Sequence, residues 1–252
     1  RQELGQSALK CAALPKRERR CVTGYAPLSP RHRKQRSMLM TIEAVIWDFG
    51  GVFTTSPFDA FNRYERERSL PHDIIRRINS VNPDSNAWAR LERSELAPAE
   101  FDAVFLGEAR EFGLSIPGRD VLALLSGDLR PRVVDAFKAC KAKFKVGCIT
   151  NNAPTGKGAG MSSSSDKAQQ IAEVLSLFDH VIESSKAGVR KPDPLIYQMM
   201  CDAISVKPDA CVYLDDLGIN LKPARELGMT TIKVTSEQQL LDDLSRAVGI
   251  AF

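Results

Sequence analysis

The sequence predicts an α/β fold: a Rossmann-like parallel sheet with helices on both faces and a helical stretch inserted after the first strand. Three observations carry this expectation. Val45-Ile46-Trp47 is a short apolar run ending on Asp48 and a Gly50-Gly51 turn, the pattern of a strand buried on both faces. From Pro131 to Val248, segments with strand and helix character alternate, which specifies parallel pairing. Between them, Thr54 to Leu129 has helical spacing throughout.

Residues 1–40 are expected to form a disordered basic tail. Arg1 to Ser37 holds ten Lys/Arg against two acids, has no sustained apolar period, and contains Pro27 and Pro30. This composition suits an organelle-targeting segment but lacks the apolar core of a secretory signal. The chain starts with Arg1, while Met38 and Met40 stand just before the first strand, so a gene-prediction artefact is the competing reading.

In the insert, Phe58, Phe61 and Tyr64, then Ile74, Ile75 and Ile78, then Phe101, Val104 and Phe105 recur at helical spacing. Pro71, Pro83, Pro98 and Pro117 fall between these runs, where proline can start a helix without removing a needed donor. These aromatic residues read as a core. Pro131 to Lys143 is an amphipathic helix and Lys145 to Thr150 the second strand. The stretch from Pro154 to Ser165 is low in complexity and misses the spacing of a nucleotide-binding P-loop, so Lys157 reads as a solvated charge. Next come a helix around Gln169 to Leu177, a strand at His180 to Glu183, a helix from Pro194 to Ile204 and a strand at Ala210 to Leu214. A helix from Asn220 to Leu227, a strand at Thr230 to Val234 and a helix from Glu237 to Val248 complete the pattern, leaving no room within these residues for a second large domain.

At 252 residues, 43% hydrophobic and 26% charged, the chain can bury a core without staples and reads as soluble. No apolar run approaches the ~20 residues a membrane helix needs. The formal charge of +4 belongs to the tail: residues after 37 carry 25 basic against 29 acidic groups. A mildly acidic body argues against nucleic acid as a partner. Six cysteines show no metal-ligand spacing, and Cys140, Cys148, Cys201 and Cys211 lie in apolar patterns, which suggests reduced thiols and a cytoplasmic setting. His32, His72 and His180 stand apart from every candidate motif, and no G-x-S-x-G elbow is present, so a serine-histidine triad is not expected.

Right-handed crossovers place strand carboxyl ends on one side, bringing Asp48, Thr150, Asp215 and Asp216 together. The run Asp48-Phe49-Gly50-Gly51-Val52 after an apolar strand resembles the first motif of the haloacid dehalogenase-like (HAD) hydrolases. Cys148-Ile149-Thr150-Asn151-Asn152, then Gly188 to Tyr197 around Arg190-Lys191-Pro192, then Tyr213-Leu214-Asp215-Asp216 through Asn220, resemble the remaining motifs in family order. The run on to Met229 is particularly similar to the amino-terminal phosphatase-like domain of soluble epoxide hydrolases. The resemblance spans roughly Ile42 to Ile250. It implies a core of residues 41–54 and 130–252, with residues 55–129 as a helical cap.

Phosphoryl transfer needs a nucleophile, a divalent ion and donors for the phosphoryl oxygens, because its catalysis is mainly positioning and charge neutralisation. By resemblance, Asp48 is the nucleophile, Thr150 and Asn151 bind phosphoryl oxygens, and Lys191 neutralises both nucleophile and phosphate. Magnesium would take Asp48, the Gly50 carbonyl and Asp216, with Asp215 and Asn220 in support. The implied partner is a small phosphorylated metabolite; a homodimer is compatible with this reading. One position departs from the family: the usual acid/base aspartate two residues after the nucleophile is Gly50, which keeps the carbonyl and loses the proton donor. Two other readings therefore stand beside a phosphatase. Dehalogenation of a small halo-acid needs neither acid nor metal, and a non-catalytic module would bind phosphate or a partner without turnover.

Overall fold

The computed structural model describes residues 41–153, 161–162 and 164–252. The expected basic tail and Lys157 lie outside the described residues. The chain builds one five-stranded sheet from β1 (Ala44–Trp47), β2 (Lys145–Thr150), β3 (His180–Glu183), β4 (Cys211–Asp215) and β5 (Thr230–Lys233). Its spatial order is β3-β2-β1-β4-β5, and every neighbouring pair is parallel.

Period-two alternation sorts the β1 side chains to opposite faces, as a strand buried on both sides requires. Val45 and Trp47 join one apolar layer with α6 (Pro131–Lys141), α7 (Ser165–Leu175) and α11 (Glu237–Val248). Ala44 and Ile46 join the other with α9 (Pro194–Ile204) and α10 (Gly218–Glu226). On that second face α9 comes so near β2 that a methyl group on Gly147 would sit 2.5 Å from the Met200 sulfur.

The stretch after β1 folds into five helices: α1 (Pro57–Glu67), α2 (Ile74–Ser80), α3 (Ala87–Glu92), α4 (Pro98–Glu111) and α5 (Gly118–Ala123). They bury their own apolar cluster, in which Phe61, Tyr64, Ile74, Ile75, Ile78, Phe101 and Phe105 pack together, as the helical spacing predicted. Pro98 opens α4, and Pro117 stands just before α5. An isolated antiparallel bridge between Thr54 and Leu129 ties the two ends of this stretch together.

Differences from the expected elements are confined to ends and short pieces. Helix α7 starts at Ser165 rather than near Gln169, because the Ser164 hydroxyl accepts from the Lys167 backbone N–H and caps it. A one-turn helix, α8 (Ser184–Ala187), follows β3 directly; four residues are too short for a periodic signal. Cys140, Cys148, Cys201 and Cys211 are all buried free thiols, in keeping with their apolar context. No described helix is long and apolar enough to cross a membrane.

Candidate active site

Strand β1 lies between β2 and β4, with Trp47 level with Cys148 on one side and Leu214 on the other. One step on stand Asp48, Ile149 and Asp215, and Thr150 follows Ile149, so Asp48, Thr150 and Asp215 come to the same carboxyl edge of the sheet. The Asp48 backbone N–H donates to the Leu214 carbonyl at 2.8 Å, which extends the β1–β4 pairing by one step and fixes where the carboxylate starts.

Lys191, on the loop before α9, reaches this edge with only 1% of its surface exposed. Its ammonium lies 2.8 Å from Asp48 Oδ1 and 2.8 Å from Asp215 Oδ2. Burial works against the charged lysine, but the Asp215 and Asp48 carboxylates outweigh it and hold Lys191 above its ordinary pKa. Asp48 Oδ1 also accepts from the Phe49 backbone N–H at 2.6 Å.

The two acids that follow each other in sequence differ in surroundings. Asp215 is fully buried and accepts from Lys191 Nζ at 2.8 Å, the Tyr213 hydroxyl at 2.5 Å and the Leu217 backbone N–H at 2.7 Å. The Asn220 amide adds contacts of 3.1 Å to both Asp215 oxygens. Asn220 is itself anchored, since the Tyr197 hydroxyl donates to its carbonyl at 2.7 Å. Asp216 faces the first loop instead: a methyl group on Gly51 would lie 2.2 Å from its Oδ2. Gly51 has φ +73°, so that close approach occurs at a backbone conformation suited to glycine.

Asp48, Asp215 and Asp216 each offer a carboxylate oxygen, and these oxygens lie within 4.8 Å of one another. Burial raises the Asp48 carboxyl well above the usual carboxylate range; Lys191 opposes this, while Asp215 and Asp216 add to it. Burial, then the Asp215 charge, pushes Asp216 up to about 6. Crowded oxygen donors whose charges repel one another are what a hard divalent cation relieves, so the donor set fits magnesium.

Thr150 ends β2 with 9% of its surface exposed, beside this cluster. Asn151 does something the sequence did not reveal. Its Oδ1 accepts from the Lys191 backbone N–H at 2.9 Å and its Nδ2 donates to the Lys191 carbonyl at 3.0 Å. The side chain thus clamps the main chain of the lysine. Asn151 Nδ2 also lies 3.3 Å from Oε2 of Glu92, a buried acid at the end of α3. Glu92 was not foreseen either. Trp88 and Leu91 mark the apolar stripe of α3 on which a charged residue one turn after Trp88 falls, and that misplaced charge was the available signal. Among the described residues, His72 and His180 are exposed and no histidine joins the cluster.

The haloacid dehalogenase-like hydrolase family profile matches residues 42–228. Among curated relatives, the chain is 28% identical over 224 residues to mouse (Mus musculus) bifunctional epoxide hydrolase 2, covering 84% of this chain and 40% of that protein. It thus spans less than half the length of the epoxide hydrolases it matches. It is 29% identical over 222 residues to Phosphatase MT3486 of Mycobacterium tuberculosis (strain CDC 1551 / Oshkosh), covering 82% of this chain and 94% of that protein. Among solved structures, a HAD family enzyme of Bacteroides thetaiotaomicron, in complex with magnesium and inorganic phosphate, superposes with a TM-score of 0.51 at 18% identity. That match covers 78% of this chain and 96% of the other. The four motifs in order, the parallel sheet that gathers them and the profile match over most of the chain lead to one assignment: this chain belongs to the haloacid dehalogenase-like hydrolases.

Proposed function

We propose that the protein is a magnesium-dependent phosphatase of a small phosphorylated metabolite, acting through an aspartyl-phosphate on Asp48. The observation that carries this reading is the buried Lys191 ammonium held 2.8 Å from both Asp48 and Asp215, with Asp216 completing a carboxylate cluster. Asp48 Oδ1 is engaged by Phe49 and Lys191, which leaves the other oxygen to attack phosphorus. Lys191 spreads its charge between nucleophile and incoming phosphoryl group. Thr150 supplies a hydroxyl donor to the phosphoryl oxygens. Asn151, whose amide is committed to Lys191, acts chiefly by holding that lysine. As Asp48 bonds to phosphorus, the bond from phosphorus to the ester oxygen breaks and the leaving group takes its proton from water, Gly50 offering no acid. A water molecule then hydrolyses the aspartyl-phosphate, releasing inorganic phosphate and returning the Asp48 carboxylate.

Asp48 and Asp216, with the Gly50 carbonyl by resemblance, would hold the magnesium ion, whose charge supplies neutralisation of the phosphoryl oxygens when it is bound. Asp215, saturated by four neighbours, orients Lys191 rather than serving as a main ligand. Residues 55–129 are read as a cap over the site. Their contacts with α8 and with the loop before α9 support this: the Ser94 hydroxyl donates to the Ser185 carbonyl at 2.7 Å, and Arg190 donates to the Pro83 carbonyl at 3.0 Å.

The acidic cluster favours this reading over dehalogenation, which has no use for three crowded carboxylates. Phosphatase MT3486 and the magnesium- and phosphate-bound fold neighbour point the same way. The test is a panel of phosphorylated metabolites and halo-acids assayed with magnesium and with a chelator. Phosphate release that stops with chelator is the expected result; halide release insensitive to chelator would overturn it.

A further inference from the structure

We propose that Glu92, on the helical insert, is a positioning residue for Lys191, so that the insert sets the geometry of the site as well as covering it. This rests on the phosphatase reading for its kinetic consequences only. Glu92 is 6% exposed, and three side-chain donors converge on it. Trp88 Nε1 donates to Oε1 at 2.9 Å; Arg190 Nε and Asn151 Nδ2 approach Oε2 at 2.6 and 3.3 Å. Two of these donors flank the lysine: Arg190 is its neighbour in the chain, and Asn151 holds both its backbone N–H and its carbonyl.

A second connection runs in parallel through the main chain. The Ser184 hydroxyl donates to the Glu92 carbonyl at 2.8 Å and accepts from the Asn152 backbone N–H at 3.0 Å. One residue of α3 is therefore joined to the segment after β2, to the start of α8 and to the Arg190-Lys191 loop. Its side chain reaches the residue before Lys191 and the amide that holds the Lys191 main chain, while its carbonyl ties it to Ser184.

Glu92 is also the buried acid that could be thought to replace the proton donor missing at Gly50. Its surroundings argue otherwise. All three side-chain neighbours are N–H donors, so the group is suited to be an ionised acceptor and not a carboxylic acid. Burial raises its pKa, and the Arg190 guanidinium opposes that rise. As a positioning residue it should influence every substrate alike; as a general acid it would matter most for poor leaving groups.

The experiment compares the natural protein with Glu92→Ala and Glu92→Gln, each below its melting temperature, on one aryl and one alkyl phosphate with magnesium. It also follows backbone hydrogen exchange at Lys191. Glu92→Ala should lower kcat by about 10- to 100-fold, the range seen when outer partners of site ligands are removed, by the same factor on both esters. Exchange at the Lys191 N–H should speed up. Glu92→Gln, which can still accept from Asn151, should lie between the two. Should Glu92→Ala fail to fold, an equal loss on both esters in Glu92→Gln carries the result. Natural kcat in a folded variant, unchanged exchange at Lys191, or loss confined to the alkyl ester would each overturn the proposal. If the natural protein cleaves neither ester, the phosphatase reading fails, and the exchange rate at Lys191 alone decides whether Glu92 positions it.

Discussion

Asp216 sits against the backbone of Gly51 with no space for a side chain between them: a methyl group there would come within 2.2 Å of a carboxylate oxygen. Gly51→Ala therefore meets two penalties. Its φ of +73° costs an L-residue about 1–2 kcal/mol, and the new methyl must displace Asp216. The expected outcome is a lower melting temperature together with a magnesium affinity reduced by tenfold or more, roughly 1.4 kcal/mol. Calorimetric titration with magnesium checks this, and unchanged affinity would show that Asp216 is not needed to hold the ion.

The adjacent glycine behaves oppositely. A methyl group at Gly50 would meet nothing within 4 Å, so the first atom of a side chain has room there. Gly50→Asp should keep the melting temperature close to that of the natural protein and raise activity toward alkyl phosphates. The natural protein should prefer activated leaving groups such as aryl phosphates, acyl phosphates or sugar-1-phosphates, because a positioned acid contributes about 10²–10⁴-fold where the leaving group is poor. The ratio of kcat/KM for an aryl to an alkyl phosphate, before and after the substitution, is the measurement. A natural preference for alkyl esters would mean that another group supplies the proton.

Lys191 is the sole cation seen within 2.8 Å of the Asp48 and Asp215 carboxylates among the described residues. Lys191→Met leaves two buried acids without their partner, a change that typically costs about 3–5 kcal/mol. Melting temperature should fall sharply and turnover should vanish. Adding magnesium should restore part of the stability, because a second source of positive charge then faces the same carboxylates. A variant as stable as the natural protein would contradict the ion-pair geometry.

Magnesium should raise the melting temperature more at about pH 8 than at about pH 5, because protons and metal compete for the same carboxylates. The sign follows from the raised folded-state values of Asp48 and Asp216, the latter pushed up to about 6. An acid whose pKa is raised on folding favours the folded state while protonated, and that contribution is lost as pH rises through the raised value. The metal-free protein should therefore lose stability across that range, and magnesium should offset the loss. Melting curves at both pH values, with magnesium and with chelator, test this directly.

Much of this architecture was legible because its signals are local. Val45-Ile46-Trp47 needs only its own composition to read as a buried strand, and the Asp48 carboxylate follows at its end. Lys191 and Asp216 were singled out by motif and by order along the chain. The Glu92 contacts were not legible, since its partners Asn151 and Arg190 lie 59 and 98 positions away. The same holds for Asn151: its polarity suggested a phosphoryl donor, but the direction of its amide depends on the Lys191 main chain 40 residues on. Helix α8 escaped notice because a single turn has no period to read.

The central claim is that Asp48 forms the covalent bond to phosphorus. Asp48→Asn is nearly isosteric and keeps an oxygen able to accept from Phe49 and Lys191, so the fold should persist. Turnover of the best phosphorylated substrate is the direct measurement. The account predicts a folded protein with no detectable magnesium-dependent phosphate release; a folded variant that retains the natural rate would contradict it.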